Sequence, residues 1–233
     1  TCGMENQGQF PPEVRHPVQY GAGIKGMMVY LMEGQLLPSG RSVELLAAVF
    51  GVSVSEGTLY NTREQCFEAL EPVSSAIATH LQRSDVTHFD ETGMRVNGKL
   101  WWLHVACTDG LTYYFIHPKR GQAAMAEMDI LPHFEGKAVH DSFVSYGSYE
   151  NCRHYLCNAH HLRELTFIFE QYQQAWAFQM ILLLGTIKHQ VDAAKASGQS
   201  TLAPELLLQL EQRYQAILEQ GLAANPPPPP PAV

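Results

Sequence analysis

The sequence predicts an α/β fold, a mixed sheet with helices packed on it, preceded by one helical region and followed by another. Three observations carry this. Apolar residues recur at helical spacing through residues 24–80. Between residues 86 and 157 the texture changes to short strand-like runs separated by turn signals. From about Ala159 to about Gly221 the helical spacing returns.

A chain of 233 residues, 45% of them hydrophobic and 16% charged, has enough apolar side chains for a sizeable core. No apolar run is long enough to span a bilayer, and residues 175–185, the longest candidate, read as a buried helix. The opening residues are polar, with Gly and Pro, and do not resemble a signal peptide, so a cytoplasmic protein is expected. Five cysteines without export features read as reduced thiols. The net charge of −8 argues mildly against nucleic-acid binding, since neutralising phosphates takes clustered Lys and Arg. It leaves room for an acidic catalytic face with basic patches elsewhere.

Residues 1–20 carry Pro11, Pro12 and Pro17 among polar side chains and read as an extended linker. Residues 21–82 form the first helical region. Val43-Glu-Leu-Leu-Ala-Ala-Val-Phe50 is periodic, Gly51-Val52 breaks it, and a second helix opens with Ser53 or Ser55 as N-cap. That is the outline of a helix-turn-helix, and equally of an ordinary helical hairpin.

The sheet region follows. Residues 86–89 read as one strand and residues 100–107 as a second. Thr108-Asp-Gly110 then predicts a tight turn into a third strand, residues 111–116. Residues 120–131 read as a helix, residues 137–140 as a short strand, and residues 153–157 as a further one. The aromatic run of Trp101, Trp102, Tyr113, Tyr114 and Phe115 is explained by core packing on alternate positions. Lys119-Arg120 reads as a solvated turn that is also placed to meet a phosphate backbone. Six prolines, residues 226–231, predict a polyproline II linker over residues 225–233.

Two aspartates carry the chemistry. Asp90 ends the run Val86-Thr-His-Phe and Asp141 ends Lys137-Ala-Val-His. A carboxylate at the tip of a buried strand is costly to desolvate unless a cation compensates it. If the first and fourth strands are neighbours, the two carboxylates converge and suit Mg²⁺ or Mn²⁺, and such sites act on phosphodiesters. The competing reading makes one or both of them turn formers or helix caps. A second group, Cys157, His160, His161 and Glu164, shares a helical face at spacings of three and four. Cys157 and His160 form a zinc half-site lacking a second pair, so packing is the plainer reading.

Several strings resemble, in order, the insertion-sequence 66 family of transposases. They are Val18-Gln-Tyr-Gly21, Gln35-Leu-Leu-Pro38, Phe50-Gly-Val-Ser-Val-Ser-Glu-Gly-Thr-Leu59, Asp90-Glu-Thr-Gly-Met-Arg-Val-Asn-Gly-Lys99 with Trp102-Leu-His-Val105, Arg120-Gly121, Phe134-Glu-Gly136 with Val139-His-Asp141, and Cys157-Asn-Ala-His-His-Leu-Arg-Glu-Leu165. The resemblance implies a DDE-type transposase with a ribonuclease H-like core, residues 83–166, followed by a helical insertion, residues 167–224. It implies three carboxylates and Mg²⁺ that nick transposon ends and join them to target DNA. Asp90 matches the first carboxylate and Asp141 the second. The third belongs to an Asp-Asn-Asn-x-x-Glu-Arg motif that this chain lacks, with Glu164 as the nearest substitute. Thr1-Cys2-Gly3 resembles the end of a zinc module, so a chain truncated at both ends and poorly active is expected.

DNA is the implied partner, as transposon ends and as target, with a homo-oligomer assembled on it and no membrane association. Two other readings stay open, an inactive DNA-binding remnant and a ribonuclease H-like nuclease using Glu164.

Overall fold

The computed structural model describes residues 19–226. The expected linker through residue 18 and the proline tract from residue 227 lie outside the described residues. The chain divides into two compact units, residues 1–76 and 77–233.

The first unit is helical. Helices α1 (Ala22–Val29) and α2 (Ser39–Phe50) are separated by a π-helical turn at Tyr30–Gly34. Gly51 closes α2 in the left-handed region (φ 64°), a conformation that glycine adopts without a Cβ clash. Helix α3 (Glu56–Gln82) follows. The Ser55 hydroxyl accepts the Thr58 backbone N–H at 3.2 Å, so Ser55 is the cap. Met28, Leu31, Leu46, Val54 and Leu59 form the core of this unit.

The second unit contains the last turns of α3 and a five-stranded sheet of order β3-β2-β1-β4-β5. The strands are β1 (Val86–Val96), β2 (Lys99–Cys107), β3 (Thr112–His117), β4 (Lys137–His140) and β5 (Arg153–Leu156). The first three form an antiparallel meander, whereas β4 and β5 join the other side of β1 in parallel. Three antiparallel strands, then a helix, then parallel strands on the opposite edge of β1 make a ribonuclease H-like fold, as expected.

Three details differ from the sequence reading. Strand β1 does not stop at residue 89 but continues to Val96, because Glu91 through Val96 keep pairing with β2. The signal was the Asn97-Gly98 dipeptide, whose positive φ values of 49° and 77° make a two-residue hairpin turn. Between β2 and β3 the turn spans residues 108–111, held by the Thr108 hydroxyl accepting from the Gly110 and Leu111 N–H groups. Helix α4 (Gln122–Met128) is shorter than predicted, since Asp129 turns left-handed (φ 59°) and a 3₁₀ turn, Leu131–His133, follows.

Leu81 from α3, Phe89 and Ala106 from the sheet, Met125 from α4 and Phe134 from the segment before β4 pack into one core. Phe89 meets Phe134 edge-on with ring centroids 5.7 Å apart. Helices α5 (Asn158–Tyr172), α6 (Ala175–Ala196) and α7 (Pro204–Ala224) share a second core that includes Leu165, Ala177, Met180, Leu183 and Ile217. Residues 175–185 are therefore a core-facing helix segment, and among the described residues no helix is long and apolar enough to cross a membrane.

Gly136 precedes β4 where backbones approach closely. A Cβ there would lie 2.5 Å from the Ser84 carbonyl oxygen and 2.9 Å from that of Asp85. Backbone cannot yield as a side-chain tip can. Gly136→Ala is expected to cost about 1–3 kcal/mol, read as a lower denaturant midpoint with an unchanged far-ultraviolet dichroism spectrum.

Candidate active site

The site begins with strand pairing. Val86, Thr87 and His88 of β1 pair in parallel with Lys137, Ala138 and Val139 of β4. Lys137 follows Val86 by 51 residues (137 − 86), the same separation as Asp141 from Asp90. Burial alternates in phase, since Thr87 and Ala138 are buried while His88 and Val139 are more exposed. Asp90 and Asp141 each follow the last paired residues, His88 and Val139, by two, with Asp141 just past the end of β4. Asp90 lies within a strand that runs on to Val96, not at its end.

Each aspartate is oriented by a backbone amide. Asp90 Oδ1 accepts from the Glu91 N–H at 2.9 Å, and Asp141 Oδ1 accepts from the Phe143 N–H at 2.9 Å. One oxygen of each carboxylate is thereby tied down and its plane set. The turn-former reading of Asp141 is thus true of one oxygen and leaves the other. Asp141 Oδ2 lies 3.5 Å from Arg120 Nη2.

Around Asp141 stand Arg120, which the sequence reading placed in a solvated turn, and Glu91, Tyr146 and His104, which it did not single out. Glu91 falls on the core face of β1 with Thr87 and Phe89, and its side chain has no solvent exposure. Its carboxylate accepts from Arg120 Nε at 2.8 Å and from the Tyr146 hydroxyl at 2.5 Å. Burial, and then this hydrogen bond to Glu91, raise the Tyr146 pKa, so the phenol remains the donor. The Arg120 guanidinium lies 4.1 Å from the Phe143 ring centroid and 5.1 Å from that of Trp102. His104 of β2 holds the preceding carbonyl, its Nε2 lying 3.2 Å from Lys119 O, and burial lowers its pKa. Alternation through Thr87, Phe89 and Glu91 was the sequence signal for a buried acid beside an exposed one.

Behind Asp141 stands a histidine pair. His140 stacks on Tyr146 with ring centroids 4.2 Å apart. Its Nδ1 contacts the Asp141 carbonyl at 2.5 Å and its Nε2 meets His154 Nδ1 at 2.8 Å, while His154 Nε2 contacts the Tyr149 carbonyl at 2.8 Å. Carbonyls only accept, so each outer nitrogen is an N–H donor. Burial lowers the His140 pKa.

Among the described residues no group of three or more His, Cys, Asp or Glu side chains is gathered to hold a metal ion. Glu164 is an exposed residue of α5, beside a shallow depression also lined by His160, Arg163, Phe167 and Ile168. Cys157 precedes α5 as a free thiol, and His160 Nδ1 is buried without a hydrogen-bond partner.

The sequence matches the family described as "Transposase IS66 family" over residues 17–228. The chain belongs to the IS66 transposase family. Membership supports a transposase function, with DNA as the class of partner and transposition and recombination as the process. None of the curated proteins compared with the chain matches it.

Arg120 is the hinge of the charged network. Arg120→Met leaves buried Glu91 with the Tyr146 hydroxyl alone. Because the Arg120 side chain is 37% exposed, the expected loss is about 2 kcal/mol, below that of a fully stranded charge. Glu91→Gln added to Arg120→Met is expected to recover part of that loss in urea unfolding.

Proposed function

We propose that this IS66 family member carries the metal-binding carboxylates for DNA cleavage and strand transfer, with Asp90 and Asp141 as ligands of Mg²⁺ or Mn²⁺. The observation that supports the reading is the parallel β1–β4 register, whose last pair, His88 with Val139, lies two residues before Asp90 and Asp141 alike. The donor set fits the ion. Magnesium is commonly bound by one or two carboxylates, keeps several waters and takes substrate phosphate oxygens as further ligands. Two hard oxygen donors with amide-fixed planes supply that much without a third acid.

When bound, a divalent ion activates the attacking oxygen and neutralises charge on the transferred phosphate. The protein's own part is positioning. The Glu91 and Phe143 amides hold the two carboxylate planes, and Arg120 and Tyr146 fix Glu91 beneath Asp90. Positioning and charge neutralisation supply most of the rate in phosphoryl transfer.

Glu164 enters this proposal as a structural residue of α5, because its neighbours are those of a separate surface depression. Residues 167–224 are assigned as the helical insertion after the core, and residues 21–82 as the preceding helical module. In that module Arg63 is the only early cation of α3. It lies 3.7 Å from Glu33 and over the Tyr60 ring, which gives a groove-reading helix little support. The protein would act in the cytoplasm, as more than one copy on DNA, since transposition joins two ends.

Asp90→Asn and Asp141→Asn are each expected to lower divalent-metal-dependent nicking and joining of transposon-end DNA by at least about 10²-fold. Titration calorimetry with Mn²⁺ should show the corresponding loss of binding. Undiminished joining by Asp141→Asn would refute the assignment, and loss with Glu164→Gln alone would restore a three-acid site.

A further inference from the structure

At the end of the parallel strands opposite the aspartates lies a cavity of about 750 Å³. It is lined by residues from three places in the chain. Arg83, Ser84 and Asp85 enter β1, Glu135, Gly136 and Lys137 enter β4, and Arg153 opens β5. The close approach at Gly136 brings two of these segments together, since its Cβ position is filled by the Ser84 and Asp85 carbonyls. The Phe134-Glu-Gly136 string thus has a structural use that the carboxylate pair does not employ.

Three of the chain's 15 Lys and Arg residues meet here, in a protein of net charge −8. Among the described residues, Arg83, Lys137 and Arg153 make no side-chain hydrogen bond and no ion pair. Arg41, Lys99, Lys119, Arg163, Lys195 and Arg213 share that lack, whereas Arg63, Arg120 and Lys188 have carboxylate partners within 4.0 Å; what sets the three apart is that they line one cavity. Lys137 is only partly exposed. Asp85 and Glu135 share the lining yet lie beyond salt-bridge distance of the three cations, so they offset the charge in part without neutralising it.

We propose that this cavity binds the phosphodiester backbone of duplex DNA, a positioning site separate from the carboxylate pair. The proposal rests on the reading that the chain acts on DNA. Four residues of strand separate the level of Val86 and Lys137 from that of Asp90 and Asp141, about 13 Å at the rise of a β-strand. At 3.4 Å per base pair that is about four base pairs along a duplex. A phosphate held here therefore sets where along the strand the reacting phosphate falls. Lysine and arginine contacts of this kind fix register without reading sequence.

The test is the salt dependence of duplex binding by the whole chain, followed by fluorescence anisotropy between 50 and 200 mM NaCl. Each phosphate contact contributes about 0.9 to the slope of log affinity against log salt. The triple variant Arg83→Gln, Lys137→Gln, Arg153→Gln is expected to lower the slope by about 2–3 and weaken binding at least about tenfold at the lowest salt. Arg83 is exposed at the end of α3, so Arg83→Glu provides a second variant whose folding is not at risk; it should lower the slope by about 1. A slope unmoved by both variants overturns the proposal. Inorganic phosphate bound by the cavity with no effect of the variants on duplex binding would make it a small-anion site, and overturns the DNA assignment. Metal-dependent nicking that survives alongside an unmoved slope overturns the cavity alone, whereas a wild-type chain that binds no duplex overturns this proposal together with the reading beneath it.

Discussion

The parallel pairing of β1 with β4 is the constraint on which the second unit depends. Parallel neighbours cannot be joined by a tight turn, so the chain must leave β1, build something, and return in the same direction. Here the excursion is the β2–β3 meander and α4, and each part of it has a use at the carboxylates. Strand β2 supplies His104 and Trp102, the β3–α4 turn supplies Arg120, and α4 supplies Met125 to the core beneath. The crossover is thus also the scaffold that brackets Asp90 and Asp141.

Glu91 shows what this arrangement costs and how the cost is met. A buried carboxylate needs charge compensation and hydrogen bonds to its free lone pairs. Arg120 and Tyr146 provide both, from segments 29 and 55 residues away in sequence. Because Arg120 also approaches Asp141, the group that makes Glu91 tolerable is coupled to the second aspartate. Stability and site geometry therefore share a residue. An arginine suits that position better than a lysine, since its planar fork reaches two carboxylates while its face stacks on Phe143.

Much of the fold was legible because local signals and tertiary demands agreed. The short strand at residues 137–140 and the helical zones were visible in periodicity, and the two aspartates were marked by the runs they follow. The full length of β1 was less visible. Beyond Asp90 the strand is Glu91-Thr-Gly-Met-Arg, whose polar and glycine residues weaken a burial pattern, and its continuation depends on pairing with β2 through the Asn97-Gly98 turn. The partners of Glu91 were illegible for a different reason. Hydrogen bonds between residues far apart in sequence leave no spacing to read, and Arg120 looked like a solvated turn residue until the crossover placed it. Cys157 and His160 illustrate the converse, a suggestive spacing that gathers no further ligands among the described residues.

The charges of the site also bear on how an acidic chain deals with DNA. Asp90, Glu91 and Asp141 against Arg120 leave a formal charge of −2, and the phosphodiester that must approach them is itself an anion. Arg120 cannot lose its proton, and Glu91 already occupies its Nε, so the protein alone cannot turn this surface attractive. In the proposed reading one divalent ion cancels the local excess, and its exchangeable water positions admit phosphate oxygens. Affinity for the rest of the duplex must then come from cations placed away from the carboxylates, where they neither pair with Asp90 and Asp141 nor compete with the metal. Unpartnered Arg83, Lys137 and Arg153, at the far end of the same strands, meet that requirement. A net negative protein can work on DNA if some of its free cations gather away from its acidic surface.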